Sequence, residues 1–161
     1  MSGDNRIIHL SLDEAALGAL DDNLDYERRI AIADLIADNR FVPADCPAGP
    51  YRVALTRIGD RLIFDVCDEA DTLLRRIELP VIPFRRYVRD YLMLCESYYD
   101  AIRTAAPERV EAMDEARRAL HLEGAELLRA RLENAADIDI HTARRLFTLI
   151  SVLRMRREGR A

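Results

Sequence analysis

The sequence contains no lysine: every one of its 24 lysine-or-arginine positions is arginine, in a chain of 161 residues. This absence excludes functions that need a lysine amine, namely Schiff-base catalysis, a phosphate-binding P-loop and a lysine general base. The 24 arginines stand against 29 acidic residues, which leaves a net charge of −5 and an isoelectric point near 5.3. Nucleic acid is therefore not an expected partner, because domains that bind it through general positive charge usually have isoelectric points above about 9.

Cysteine is scarce, and no CxxC pair occurs among Cys46, Cys67 and Cys95. An odd number of widely spaced cysteines indicates neither a disulfide framework nor a zinc site. Cys46 stands beside Asp45, whose carboxylate disfavours a thiolate, so a nucleophilic role is not expected.

Long apolar runs are also missing. The longest in a predicted helix, residues 146–153, is far shorter than the about 20 residues that span a bilayer. Residues 1–14 include acids and lack the apolar core of a signal peptide. We therefore expect a cytoplasmic protein that does not enter a membrane.

The common site motifs GxGxxG, GxSxG and HExxH do not occur. The segment HLEGAE brings His121, Glu123 and Glu126 together in sequence, but on a regular helix these three side chains cannot ligate one metal ion. No metal, cofactor or catalytic residue is predicted, and whether the protein is an enzyme stays open.

Periodicity predicts an α+β fold, with a small antiparallel sheet of three or four strands packed against long amphipathic helices. Strands are expected at residues 6–12, 51–58, 61–67 and 72–79, and helices at 25–39, 84–105, 107–133 and 140–157. Gly59-Asp60 suits a two-residue turn between strands. Pro107 suits the first turn of a helix, and Asp139 suits an N-cap position. The proline-containing stretch at residues 40–50 is expected to be a loop.

The chain is expected to form a single domain over residues 1–161. It divides into an acidic strand–helix–loop segment at 1–50, a β-meander at 51–80 and a three-helix region at 81–161. Residues 1–50 hold ten acids and four arginines, whereas residues 81–161 hold thirteen acids and fifteen arginines. The two ends of the chain thus carry opposite charge, which favours contact with a charged partner or between copies.

Several predicted elements carry a basic residue on their apolar side. The four residues concerned form a candidate site for a phosphate or carboxylate: Arg29, Arg75, Arg117 and His121. An inward guanidinium needs an anion or a carboxylate, because an unpaired buried charge costs several kcal/mol. Two alternatives stay open, which are pairing with protein acids such as Asp114 and extension of the charged head to water.

Gly124 lies within the same apolar stripe of the helix at 107–133. A glycine in a helix interior costs about 1 kcal/mol relative to alanine, so its presence requires a reason. Close approach of another helix or of a ligand is the reason that we expect.

Arginines also form two candidate surface patches. The first comprises Arg85, Arg86 and Arg89 near the start of the helix at 84–105, and the second comprises Arg144, Arg145, Arg154, Arg156 and Arg157 in the last helix. The first patch is explained by a solvated face. The second is explained by arginines that complement the helix dipole near a C-terminus. The sharper alternative is contact with phosphate or an acidic partner.

Three phrases of the chain resemble a family of small alphaproteobacterial proteins labelled only as an uncharacterised protein family. They are IPFRRYVRDYLMLCESYYDAI, ARRALHLEGAELLRARLE and DIDIHTARRLFTLISVL. The resemblance also covers RIIHLSLDE, ERRIAIADLIADN and GPYRVAL, and thus nearly the whole chain. It implies a small soluble bacterial protein and carries over no activity, cofactor or catalytic residue.

Three functions follow as hypotheses. The leading one is a non-enzymatic binding or regulatory module that contacts a protein partner or a second copy, because no catalytic constellation can be assembled from the sequence. The first alternative is an enzyme or sensor for a small anionic ligand. The second is RNA contact through the arginines of the last helix, which would weaken steeply with salt.

Overall fold

A computed structural model describes residues 5–13 and 20–153 of the chain, and in these residues confirms the α+β fold class. Within them the elements follow in this order: β1 (Ile7–Leu12), α1 (Asp22–Ala37), β2 (Phe41–Pro43), β3 (Tyr51–Ile58), β4 (Arg61–Cys67), β5 (Leu73–Pro80), α2 (Ile82–Thr104), α3 (Pro107–Leu132), β6 (Ala136–Ile138) and α4 (Ile140–Val152). The four predicted strands and the first three predicted helices lie within a few residues of their expected bounds. The last helix is described as far as Val152, and residues 154–157 lie outside the described part of the chain.

The main sheet has the strand order β1-β3-β4-β5. Strands β3, β4 and β5 form the predicted antiparallel meander, whereas β1 pairs with β3 in parallel. The sheet is therefore mixed: the expectation of an antiparallel sheet holds for β3, β4 and β5 and does not hold for β1. Parallel neighbours need a long crossover connection, and the residues between β1 and β3, which include α1, provide it.

The turn between β3 and β4 is the predicted two-residue connection. Ile58 pairs with Arg61 across it, and Gly59 has a φ of +59°. Glycine adopts this left-handed conformation without the steric cost that a Cβ brings.

A second, two-stranded sheet joins β2 to β6 in antiparallel register. The prediction of an irregular loop at residues 40–50 was thus wrong for its first part, where Phe41 pairs with Ile138. Three-residue strands are too short to show an alternating pattern, and this pairing joins residues nearly 100 positions apart. Arg40 supports the junction, since its backbone N–H donates to Oγ1 of Thr142 at 2.9 Å.

The core lies between one face of the main sheet and the helices. On that face Val53, Leu55, Phe64, Val66 and Ile77 are buried, and they belong to one apolar cluster with residues of all four helices. The opposite face carries ion pairs, of which Arg76 to Asp65 is the shortest, at 2.7 Å. The sheet thus presents its apolar face to the helices that shape the site described below.

Capping residues begin two of the helices. The Asp21 side chain accepts a hydrogen bond from the backbone N–H of Leu24 at 2.8 Å, and Asp139 caps α4 in the same way through Thr142. These bonds satisfy backbone donors that have no partner within the helix. In residues 5–13 and 20–153 no helix is both long and apolar enough to cross a membrane.

Gly124 is where the ring of Phe147 from α4 packs against α3. A Cβ built at this position would lie 2.7 Å from Cε2 of Phe147 and nearer still to Cζ and Cε1 of the same ring. The ring of Phe147 therefore occupies the space of the absent side chain. This confirms the expectation that Gly124 admits a neighbouring helix.

Candidate functional site

A pocket of about 220 Å³ opens among the four helices, on the side of the core away from the sheet's ion pairs. Each helix contributes residues at helical spacing: positions 27, 30, 31 and 34 from α1, 91 from α2, 117, 118 and 121 from α3, and 144, 145 and 148 from α4. The lining residues are Glu27, Ile30, Ala31, Asp34, Tyr91, Arg117, Arg118, His121, Arg144, Arg145 and Thr148. Four arginines thus share this pocket with two carboxylates.

Arg117 is held by acids on two helices. Its Nη2 donates to Oδ1 of Asp114 at 2.7 Å, and its Nη1 lies 3.7 Å from Oε2 of Glu27. Its guanidinium also lies over the ring of Tyr98, 4.2 Å from the centroid, which is a cation–π geometry. Arg117 therefore follows the pairing alternative drawn from the sequence, and the hydrogen bond from Arg117 lowers the pKa of Asp114.

Arg144 and Arg145 have far fewer partners. Within the described residues, the Nε–H groups of both are buried and have no hydrogen-bond acceptor, as is also true of the Nε–H of Arg117. The Nε of Arg145 lies 3.8 Å from Oδ2 of Asp34, which is an ion-pair distance but too long for a hydrogen bond. These two guanidinium groups line the pocket with hydrogen-bonding capacity left over.

His121 stands beside them as a neutral ring. Its Nε2 and the Oγ1 of Thr148 share a hydrogen bond of 2.8 Å, and its ring packs against Tyr91 and Phe147 at centroid distances of 4.9 and 5.5 Å. Burial, together with the positive charges of Arg144, Arg117 and Arg145, lowers the pKa of His121 to about 4. At neutral pH the ring therefore adds polarity to the pocket without adding charge.

The tyrosine and cysteine side chains next to the pocket are also uncharged. Burial raises the pKa values of Tyr91 and Cys95 above their ordinary range. Tyr99 donates a hydrogen bond to Oε2 of Glu27. Burial makes the largest contribution to raising the pKa of its hydroxyl, and this hydrogen bond raises the pKa further. The charge of the pocket is thus set by its arginines and by its two carboxylates.

Of the four residues predicted to form the anion site, the structure brings Arg117 and His121 together and separates the other two. Arg29 was expected on the inner side of α1, but 65% of its side chain is exposed and it pairs with Asp25 at 3.4 Å. The buried residues of α1 are Ala31 and Leu35, so the inner face is rotated by about one residue from the expected one.

Arg75 lies on the expected strand face beside the buried Ile77, but it does not line the pocket. Its Nη1 donates to the backbone carbonyl of Ala44 at 2.8 Å. Arg75 thus satisfies a backbone carbonyl just after β2. The structure does not bring Arg29 and Arg75 together with Arg117, so the candidate site of four residues was wrong in these two members.

The two arginine patches differ in outcome. Arg85, Arg86 and Arg89 lie on the exposed side of α2, where Arg89 pairs with Asp90 at 3.1 Å. Of the second patch, Arg144 and Arg145 line the pocket, whereas Arg154, Arg156 and Arg157 lie outside the described residues.

Sequence reasoning missed Thr148, Arg118 and Tyr91 as parts of the site. Thr148 lies four residues after Arg144, and this one-turn spacing was the signal that could have joined it to the arginines. In the described residues no group of three or more His, Cys, Asp or Glu side chains is placed to hold a metal ion.

The fold and the site together define a small α+β protein whose helices line a pocket with four arginines. The chain belongs to the Uncharacterised protein family (UPF0262), whose family model matches residues 4–156. The UPF0262 protein of Maricaulis maris is 51% identical over 153 residues, which is 95% of this chain and 96% of that protein. This confirms the resemblance drawn from the sequence.

Two further relatives agree. The UPF0262 protein of Hyphomonas neptunium is 47% identical over 94% of this chain and 93% of its own length. The UPF0262 protein of Nitrobacter hamburgensis is 46% identical over 92% of this chain and 91% of its own length. No solved structure matches the chain.

Proposed function

We propose that this protein is a non-enzymatic binding or regulatory module that binds a small anion in the pocket among its four helices. The observation that carries the proposal is the pair of buried Nε–H groups of Arg144 and Arg145, which have no acceptor among the described residues. A buried donor without a partner costs about 1–3 kcal/mol, and more when it belongs to a charged group. An oxyanion in the pocket would supply acceptors to these two guanidinium groups, which line it and make no side-chain hydrogen bond within the described residues.

Arginine suits this role because its planar fork of donors matches the oxygens of a carboxylate or phosphate. The four arginines of the lining stand against Glu27, Asp34 and also Asp114, which pairs with both Arg117 and Arg118, and this leaves a small positive excess while His121 is neutral. This excess attracts an anion, and it is local, since the chain as a whole is negative.

The size of the pocket limits the ligand. Its volume of about 220 Å³ is below the roughly 300–1,000 Å³ typical of sites for drug-sized molecules. Phosphate, sulfate and short dicarboxylates are therefore the expected class. The same limit favours a small anion over RNA as the partner of Arg144 and Arg145.

Binding is favoured over catalysis by the state of His121. A general base that works near neutral pH needs a pKa close to 7, whereas that of His121 is about 4. An enzyme that acts on the same anion remains the alternative. The same proposal places the protein in the cytoplasm. It also includes contact with a protein partner or a second copy, which changes when the anion binds.

Thermal unfolding in the presence of phosphate, sulfate, succinate and related anions tests the proposal. A ligand at 100 times its dissociation constant should add about 2.7 kcal/mol to the free energy of unfolding. Arg144→Leu should abolish this gain. Without ligand it should be at least as stable as the parent protein, because it removes a half-buried guanidinium whose buried Nε–H has no acceptor among the described residues.

Arg85→Leu is the matched control, since Arg85 is exposed on α2 and does not line the pocket. It should keep the full stabilisation by anions. The proposal is rejected if no small anion stabilises the parent protein, or if Arg144→Leu responds as strongly as the control.

A further inference from the structure

The α1 side of the pocket presents a carboxylate that is nearly unused. Asp34 makes no side-chain hydrogen bond within the described residues, and its closest cation is the Nε of Arg145 at 3.8 Å. Half of the Asp34 side chain is exposed. A half-exposed carboxylate that accepts no hydrogen bond from the described residues thus lies next to a buried guanidinium N–H that has no acceptor.

Glu27, the other carboxylate of the lining, is already committed. Its Oε2 accepts the hydrogen bond from Tyr99 and lies 3.7 Å from Nη1 of Arg117. Asp34 is therefore the carboxylate that remains available to a ligand.

This arrangement disfavours a ligand that is only an oxyanion. An oxyanion bound against Arg144 and Arg145 would bring its negative charge close to Asp34, and two like charges side by side repel. A positively charged donor on the same ligand would remove the repulsion and would give Asp34 a charge-assisted hydrogen bond in place of water.

We propose that the ligand of this pocket is a small amino-dicarboxylate, which places a carboxylate against Arg144 and Arg145 and its protonated amine against Asp34. This inference rests on the proposed anion-binding function. The second carboxylate keeps the ligand negative despite its amine, which suits the positive excess that remains when Asp114 is counted against Arg117 and Arg118. In such a molecule the amine and a carboxylate are borne by the same carbon, so both can contact neighbouring protein groups such as Asp34 and Arg145.

Isothermal titration with succinate and aspartate tests the inference, because the two probes differ only in the amine. Glutarate and glutamate form a second pair one methylene longer. The parent protein should bind the amino form of at least one pair about tenfold more tightly or better, as expected for a charge-assisted hydrogen bond.

Asp34→Asn should reduce this preference to less than about twofold while leaving the affinity for the plain dicarboxylate unchanged or higher. A retained affinity for succinate or glutarate shows in the same titration that the variant is folded and its arginines are in place. Asp38→Asn is the matched control, since Asp38 follows α1 by one residue and does not line the pocket. It should keep the preference of the parent protein.

Equal binding of amino and plain dicarboxylates by the parent protein overturns the inference, as does a preference that survives in Asp34→Asn. If phosphate or sulfate binds and no dicarboxylate does, the inference fails while the anion-binding function stands. If no anion binds, both fail.

Discussion

His121 is held neutral by its surroundings, and this has a consequence for stability. Its pKa is about 4 in the folded protein against an ordinary value of 6.5. Because the folded pKa is the lower one, the unfolded chain takes up a proton first as the pH falls. The stabilisation from the neutral ring is therefore complete above pH 6.5 and is lost between pH 6.5 and about 4.

This shift predicts that the free energy of unfolding falls by about 2 kcal/mol between pH 7.5 and 5.0 through His121 alone. In His121→Gln, which cannot take up the proton, that part of the loss should be absent. Urea unfolding at the two pH values measures it. Equal losses in the parent protein and the variant would contradict this account of the ring.

The residues of the site were predictable to different degrees. Arg117 and His121 lie one turn apart on α3, and helical spacing alone placed them together on the inner side. Arg29 was misplaced because α1 carries apolar residues around most of its circumference, including Ile30, which is 41% exposed. A helix of that kind does not reveal which side faces the core.

At the scale of the elements, the contact between α3 and α4 rests on the absence of a side chain at Gly124. Gly124→Ala would gain up to about 1 kcal/mol of helix propensity, but its Cβ would overlap the ring of Phe147. Overpacking of a buried site costs about 1–3 kcal/mol. We therefore expect a net loss of stability in urea unfolding.

A double substitution separates the gain in helix propensity from the cost of overlap with Phe147. In a Phe147→Leu background the overlap is relieved, so Gly124→Ala should cost less than it does in the parent protein, or should stabilise. If the cost of Gly124→Ala is the same in both backgrounds, contact with Phe147 is not the reason for the glycine.

Elements set by local pattern were predicted well, and those set by distant partners were not. The meander from β3 to β5, the helix start at Pro107 and the cap at Asp139 are encoded by neighbouring residues. The pairing of β2 with β6 and the parallel register of β1 depend on contacts across the chain, which periodicity does not report. Arg144 and Arg145 share one face of α4 with Thr148, but which other helices that face meets also depends on contacts across the chain.

At the scale of the whole molecule, contacts tie the two ends of the chain into one structure. The Asn39 side chain binds both backbone groups of Ile7 and the carbonyl of Leu35, which joins β1 to the end of α1. Strand β6 and helix α4, from the last third of the chain, pack against β2 and α1 from the first. The single domain expected from the sequence is a further prediction that these contacts support.

We accordingly expect one cooperative unfolding transition. Far-ultraviolet circular dichroism follows the helices, and the near-ultraviolet signal of the tyrosines follows packing in both the sheet and the helices, at Tyr51 and Tyr91. The two should give the same midpoint in urea. Separate midpoints would indicate that the meander and the helical region unfold independently.

The fit of Phe147 against Gly124 also ties three walls of the pocket together. Helices α2, α3 and α4 meet through the contacting rings of Tyr91, His121 and Phe147. Helix α1 joins them through the buried side chains of Ala31 and Leu35 and through its contacts with α4. A molecule that bridges Asp34 and Arg145 would therefore add a polar link between α1 and α4, and occupancy would be felt along α1 as a gain in order.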